Sequence, residues 1–287
     1  MLHFREEIYP YAQQSMTVDE LLYAGRSAYQ DVLLFRNQFY GTVLVLDDVV
    51  QLSERDEFIY SEMMAHVPLL AHSHPADVLL IGGGDGCVLE EALKHQTVEK
   101  VVLVDIDETV IDLCRTHFAA CHNGAFDDPR FTLRVGDGLA YARDTDEKFD
   151  LILVDGPDQT GPGDAGCTLY TPEFCRNCAR MLKPEGMLLI QSDVPFHYPQ
   201  SLALTHSLLR DQFQTIRIYT APVPAYLGAN MCFVYAANHN LDVSAPLREE
   251  RLSDLRYYTP AIHKAAFQLP PYIADIVNKP AAQGASK

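Results

Sequence analysis

The sequence predicts an α/β protein: a parallel sheet covered on both faces by helices and preceded by a small β domain. Three observations carry that prediction. Short, continuously apolar runs alternate with helical stretches from Ala76 to Gln191. A glycine-rich loop, Gly82-Gly83-Gly84-Asp85-Gly86, joins the first run to the first helical stretch. Each of the first four runs ends in, or is closely followed by, an acid: Asp85, Asp105, Asp137 and Asp155. Strands buried on both faces read as unbroken apolar runs, and their alternation with helices implies parallel pairing.

In chain order, Tyr29 to Phe35 and Phe39 to Leu46 are β-rich runs separated by Arg36-Asn37-Gln38, the pattern of hairpins. They place an N-terminal β domain at residues 1–52. Ser53 to Leu70 reads as a helix leading into the main, Rossmann-like domain over residues 53–240. Ala76 to Ile81 is the first strand and Val88 to His95 its helix, followed by a strand at Lys100 to Asp105 and a helix at Glu108 to Phe118. Strands at Phe131 to Val135, Phe149 to Asp155 and Gly186 to Gln191 follow, with a helix at Pro172 to Leu182 before the last. Ser201 to Gln212 reads as a helix, and Thr215 to Thr220 with Met231 to Ala237 as a late hairpin closing the sheet. Residues 241–287 form a tail, charged at first and ending in Pro, Ala and Gly, expected to pack on the main domain.

Composition narrows the function classes. The formal charge of −17 disfavours nucleic-acid and anionic-membrane partners, which are bound through Lys and Arg, and suits a cationic substrate. No apolar run approaches the ~20 residues of a membrane span, and no signal peptide is seen. Seven cysteines without framework spacing point to reduced thiols in a cytoplasm. Cys175 and Cys178 have C-x-x-C spacing, but no second pair accompanies them and they fall in a predicted helix, so both read as helix residues.

Ligands of such sheets bind outside the carboxyl ends of the strands. A lone Asp there is usually a turn residue or a helix cap, but four at one edge point to a site. Loops rich in glycine normally bring backbone N–H groups to an anion. Asp85, in the middle of this one, would repel an anion and favours a cation. The dinucleotide pattern G-x-G-x-x-G needs glycine at position 87, where Cys87 stands. G-x-G-x-G followed by an acid about 20 residues on is instead typical of the Rossmann-like, methyltransferase-type folds that bind S-adenosylmethionine and its relatives. Asp105 is placed to meet ribose hydroxyls, and Asp137-Gly138 to meet adenine.

With that loop in place, Leu46-Asp47-Asp48-Val49-Val50-Gln51, Asp56-Glu57-Phe58-Ile59-Tyr60-Ser61-Glu62-Met63, Asp127-Asp128-Pro129-Arg130 and Arg256 to His263 resemble, in order and spacing, the polyamine aminopropyltransferases of the spermidine synthase type. The resemblance covers essentially the whole chain. It implies transfer of the aminopropyl group of decarboxylated S-adenosylmethionine, a co-substrate, to an amine such as putrescine, with release of methylthioadenosine. It implies no metal and no other cofactor, and a homodimer or homotetramer. Asp85 then pairs with the bare ammonium of the decarboxylated donor and opposes the carboxylate of the ordinary one. By the same resemblance Asp155 is the proton acceptor. Asp158, Tyr60, Ser61 and Tyr226 meet the amine, and Gln30, Gln51, Asp105, Asp137, Gly138 and Pro162 meet the nucleoside. Asp107 reads as a helix cap, and Glu62 as either a structural partner or a distal amine ligand.

Departures from the family pattern fall on the acceptor side. Asp155-Gly156-Pro157-Asp158-Gln159 keeps both acids of the usual Asp-Ser-Ser/Thr-Asp-Pro but not its hydroxyl residues, and the Gly163 to Thr168 stretch is longer than usual. Ser61 stands where bacterial members have histidine, Asp105 replaces glutamate and Asp48 a glycine. Acceptors other than putrescine, such as cadaverine, spermidine or agmatine, therefore stay open. A methyltransferase on the same fold is opposed by Asp85, and a non-catalytic relative by the retained Asp155.

Overall fold

A computed structural model describes residues 2–157, 169–228, 230–240 and 242–278. The chain opens with a two-stranded antiparallel hairpin, β1 (Leu2–Tyr9) and β2 (Ala12–Val18). A four-stranded antiparallel sheet follows in sequential order: β3 (Glu20–Arg26), β4 (Asp31–Asn37), β5 (Gly41–Leu46) and β6 (Val49–Ser53). The strand expected to stop at Phe35 runs on to Asn37, because Arg36 and Asn37 pair with Thr42 and Gly41 across the turn. The Asn37 side chain then caps that turn, accepting from the Phe39 and Tyr40 amides.

Helix α1 (Glu57–Ala71) begins four residues later than expected, and residues 59–71 are all buried. The α/β part continues through β7 (Asp77–Gly82), α2 (Cys87–Leu93), β8 (Lys100–Asp105), α3 (Glu108–His117) and α4 (Ala119–His122). Then come β9 (Phe131–Val135), α5 (Gly138–Asp144), β10 (Phe149–Asp155), α6 (Pro172–Met181) and β11 (Leu182–Gln191). The described chain ends with α7 (Pro199–Arg210), β12 (Thr215–Pro222), β13 (Asn230–Ala237), α8 (Pro260–Ala266) and α9 (Pro271–Asn278).

The seven-stranded sheet has the order β12-β13-β11-β10-β7-β8-β9. Strands β11, β10, β7, β8 and β9 are parallel, and the late hairpin closes one edge antiparallel. Successive side chains of the central strands feed opposite cores. Val78, Leu80, Leu151 and Leu153 pack with α1 and α2, whereas Leu79, Ile81, Ile152 and Val154 pack with α6 and α7. That division explains the continuous apolar runs. The chain steps outward from β7 through β8 to β9, then returns to β10 on the other side of β7. A crevice opens where the strand order reverses, at the carboxyl ends of β7 and its neighbours. The four-stranded sheet lies beside that crevice, since Val32, Leu34, Leu44 and Leu52 share a core with Cys87, Val110 and Phe118.

The tail is anchored to α1. Glu62, fully buried, accepts backbone hydrogen bonds from Arg256, Tyr257 and Tyr258 at 2.5–3.0 Å, so it is a structural partner. Cys175 and Cys178 are buried in the α6 face of the core, and burial pushes both thiols up, away from the reactive thiolate.

Candidate active site

A cavity of about 390 Å³ occupies the crevice, and among the described residues it collects all ten of the site residues the sequence singled out there: Gln30, Gln51, Tyr60, Ser61, Asp85, Asp105, Asp137, Gly138, Asp155 and Tyr226. They come from both sheets, from α1 and from the loop before β13. Asp158, Pro162 and the Gly163 to Thr168 segment lie outside the described residues.

The glycine loop spends its N–H groups on acids of the chain itself. The Gly84 amide donates to Asp105 Oδ2 at 3.0 Å, and the Cys87 amide to Asp85 Oδ1 at 2.7 Å. Two donors that would otherwise greet a phosphate are thus occupied, which agrees with a loop that does not seek an anion. Gly82 makes the loop possible. Its φ of +82° suits glycine, and a Cβ there would lie 1.9 Å from the Asp155 carbonyl oxygen.

Asp105 has one backbone donor on each oxygen, Gly84 N–H on Oδ2 and Asp107 N–H on Oδ1 at 2.9 Å. Burial nevertheless raises its pKa above the ordinary value, outweighing those hydrogen bonds. Asp107 caps α3, accepting from the Thr109 and Val110 amides, and its other oxygen accepts from Gln30 Nε2 at 2.8 Å and Ser27 Oγ at 2.6 Å. Gln30 is therefore fixed at the cavity wall through a residue of the opposite sheet layer. Asp137 caps α5 by accepting from the Leu139 amide at 2.8 Å, which leaves its carboxylate and Gly138 on the cavity edge.

At the other end, the Tyr60 hydroxyl donates to Asp155 Oδ1 at 2.6 Å. Burial, followed by the Asp155 charge, holds the Tyr60 phenol well above its ordinary pKa, so it stays protonated and keeps donating. Tyr226 packs edge-on against Tyr60 with ring centroids 6.5 Å apart, and donates to the Gln51 carbonyl at 2.7 Å. Gln191 Nε2 donates to the Gly156 carbonyl at 2.8 Å, tying the end of β10 to β11. Two aromatic rings and a carboxylate thus line one volume.

Among the wall residues that the sequence reading gave no role, one is a partly buried acid. Glu57 opens α1, lines the cavity and accepts from Ser61 Oγ at 3.3 Å. A glutamate in a helix's first turn reads as a solvated, dipole-matched group. The signal that would have found it is its spacing of three and four residues from Tyr60 and Ser61, which puts all three on neighbouring faces.

Fold and cavity together define a Rossmann-like enzyme with an acidic, nucleoside-sized site at the strand ends. The chain belongs to the spermine/spermidine synthase family: the spermine/spermidine synthase domain matches residues 57–245, and the spermidine synthase tetramerisation domain matches residues 2–54. It is 42% identical over 271 residues to the polyamine aminopropyltransferase of Serratia proteamaculans, covering 92% of this chain and 93% of the relative. With that of Klebsiella pneumoniae it shares 39% over 283 residues, covering 96% and 98%. Among solved structures, spermidine synthase in complex with the transition state analogue AdoDATO superposes with a TM-score of 0.89 at 31% identity, covering 96% of this chain and 94% of that one. Spermidine synthase from Thermotoga maritima gives 0.86 at 30%, with the same coverage.

Proposed function

We propose that this aminopropyltransferase transfers the aminopropyl group of decarboxylated S-adenosylmethionine to putrescine or a related di- or polyamine, releasing methylthioadenosine. The observation that carries the reading is one cavity lined by Asp85 on the glycine loop and by the Tyr60-bound Asp155. The adenosine lies along Gln30, Gln51, Asp105, Asp137 and Gly138, and the donor's ammonium meets Asp85. The acceptor amine enters between Tyr60 and Tyr226, whose ring faces attract an ammonium. Its pKa of about 10.4 keeps it protonated at neutral pH, so it must lose a proton before it attacks. Asp155 takes that proton. The freed nitrogen forms a bond to the methylene carbon beside the sulfonium, the carbon–sulfur bond breaks, and its electron pair leaves sulfur neutral as the thioether. A carboxylate is a weak base for an alkylammonium, so orientation of the two substrates supplies much of the rate. Asp158 and Pro162 complete the acceptor and nucleoside sides by resemblance.

The test is methylthioadenosine release with decarboxylated S-adenosylmethionine and a panel of putrescine, cadaverine, spermidine and agmatine. Rapid release with one of them is expected, and no release with any of them overturns the reading. The chain acts as a cytoplasmic homodimer or homotetramer. Supporting that is the match to a tetramerisation domain, together with exposed Leu2, Tyr11, Leu21 and Phe39 on the N-terminal strands and turns. Sedimentation of a monomer at micromolar concentration would contradict it. Among the described residues, no helix is long and apolar enough to cross a membrane.

A further inference from the structure

We propose that Glu57 is a second carboxylate for the ammonium of the donor's aminopropyl chain, acting beside Asp85. The inference rests on the reading of Asp85 as that ammonium's anchor. Glu57 lines the same cavity as Asp85 and accepts a hydrogen bond from Ser61 Oγ at 3.3 Å. It lies near enough to Asp85 for the two charges to oppose each other, whereas Asp155 at the acceptor end is occupied with Tyr60.

Its surroundings offer it little cationic compensation. From its own helix it is bound by Ser61, and its charge is opposed by Asp85 of the glycine loop and Glu91 of α2 and favoured by Arg256 of the tail. Glu91 is bound by Lys94 at 2.7 Å, and the Arg256 guanidinium stacks on the Phe58 ring at 3.7 Å. Among the described residues, no direct ion pair reaches Glu57 or Asp85. A cation carried in by the substrate is what this corner lacks.

Burial, then the charges of Glu91 and Asp85, raise the Glu57 carboxyl to about 8. In the empty enzyme at neutral pH it is mostly protonated, and the arriving ammonium favours its ionised form. Donor binding therefore releases a proton to solvent. Affinity rises with pH up to about 8 and levels off above, while the ammonium itself stays charged. Two consequences follow for recognition. The corner carries less uncompensated charge while empty, and its second negative charge appears only when an ammonium arrives to meet it.

The experiment is calorimetric titration at pH 7 in buffers of different ionisation enthalpy. The ligands are decarboxylated S-adenosylmethionine and 5′-dimethylthioadenosine, a sulfonium probe without the ammonium. The wild-type enzyme should release most of one proton with the first and none with the second. Glu57→Gln should abolish the release and weaken the first ligand about tenfold or more, the loss of a charge-assisted contact, while leaving the probe unchanged. Equal proton release with both ligands overturns the inference, as does a Glu57→Gln variant whose ratio of the two affinities stays within about twofold of wild type. If the variant binds neither ligand, the wild-type proton count decides. A wild-type enzyme that binds the two ligands equally well removes the Asp85 reading and this inference with it. A changed count with an intact preference removes this inference alone.

Discussion

Replacing Gly82 by alanine should silence the enzyme by moving Asp155, and the structure gives the size of the effect. Gly82 pairs with Asp155 in register between β7 and β10. A Cβ added there falls 1.9 Å from the Asp155 carbonyl oxygen, against the 3.0 Å below which real contacts essentially never occur. One of the two strand ends must therefore yield by about 1.1 Å. A misplacement of about 1 Å at reacting groups can cost ~10²-fold in rate. The positive φ adds roughly 1–2 kcal/mol of strain wherever glycine is replaced. Gly124 isolates that second cost, because its φ is +77° and nothing lies within 4 Å of its added Cβ. In a methylthioadenosine-release assay with thermal melts alongside, Gly124→Ala should lose stability only, and Gly82→Ala should lose about 10²-fold in kcat as well. A folded Gly82→Ala enzyme with the kcat of Gly124→Ala would refute the claim that the loop sets the position of Asp155.

Asp155→Asn should lower kcat by ~10² or more, the usual worth of a general base, while methylthioadenosine still binds in a fluorescence or calorimetric titration. Unchanged turnover would remove Asp155 from its role. Glu62→Ala leaves three tail N–H donors without their acceptor, that of Tyr258 buried and the other two part-buried, and should cost about 1–3 kcal/mol in urea unfolding, without moving the KM of either substrate. A loss below about 1 kcal/mol would show that the tail is held otherwise. His66 and His95 share a buried hydrogen bond of 2.9 Å, and burial lowers both to about 3. Below the ordinary pKa of 6.5 the unfolded chain gains protons that the folded rings refuse. Stability from this source is thus complete above pH 6.5 and falls towards pH 3, by about 1.4 kcal/mol per unit for each ring. Comparing wild type with His95→Gln between pH 6.5 and 5 should show a flatter dependence in the variant, and equal slopes would contradict it.

The parts of the fold that were legible in the sequence are those buried on both faces. The bounds of β8 and β10 agree with the sequence reading because their residues feed two cores in alternation; those of the edge strand β9 agree too, although it packs on one core only, through Phe131 and Leu133. The strands β1 to β3 escaped notice. Their exposed polar residues, among them His3, Arg5 and Glu20, break any apolar run, and their shape comes from cross-strand pairing instead. Helix α5 was missed because seven residues with one buried side chain, Ala142, carry no period. The tail helices α8 and α9, each starting at a proline that fits the first turn of a helix, fall in a stretch whose composition gives only a tail. In the site, the strand-end acids were legible because topology sends every strand end to the same edge. The Asp107 link to Gln30, which joins residues 77 apart, was not, since only the packing of the N-terminal sheet on α3 creates it.

The most direct test of the central claim is the mass of the amine product formed from an equimolar mixture of decarboxylated and ordinary S-adenosylmethionine. A carboxylate on the glycine loop and a base at the end of β10 predict an amine heavier by one aminopropyl group, with methylthioadenosine in equal amount. An amine heavier by one methyl group, with consumption of the ordinary donor, would contradict the account at its root.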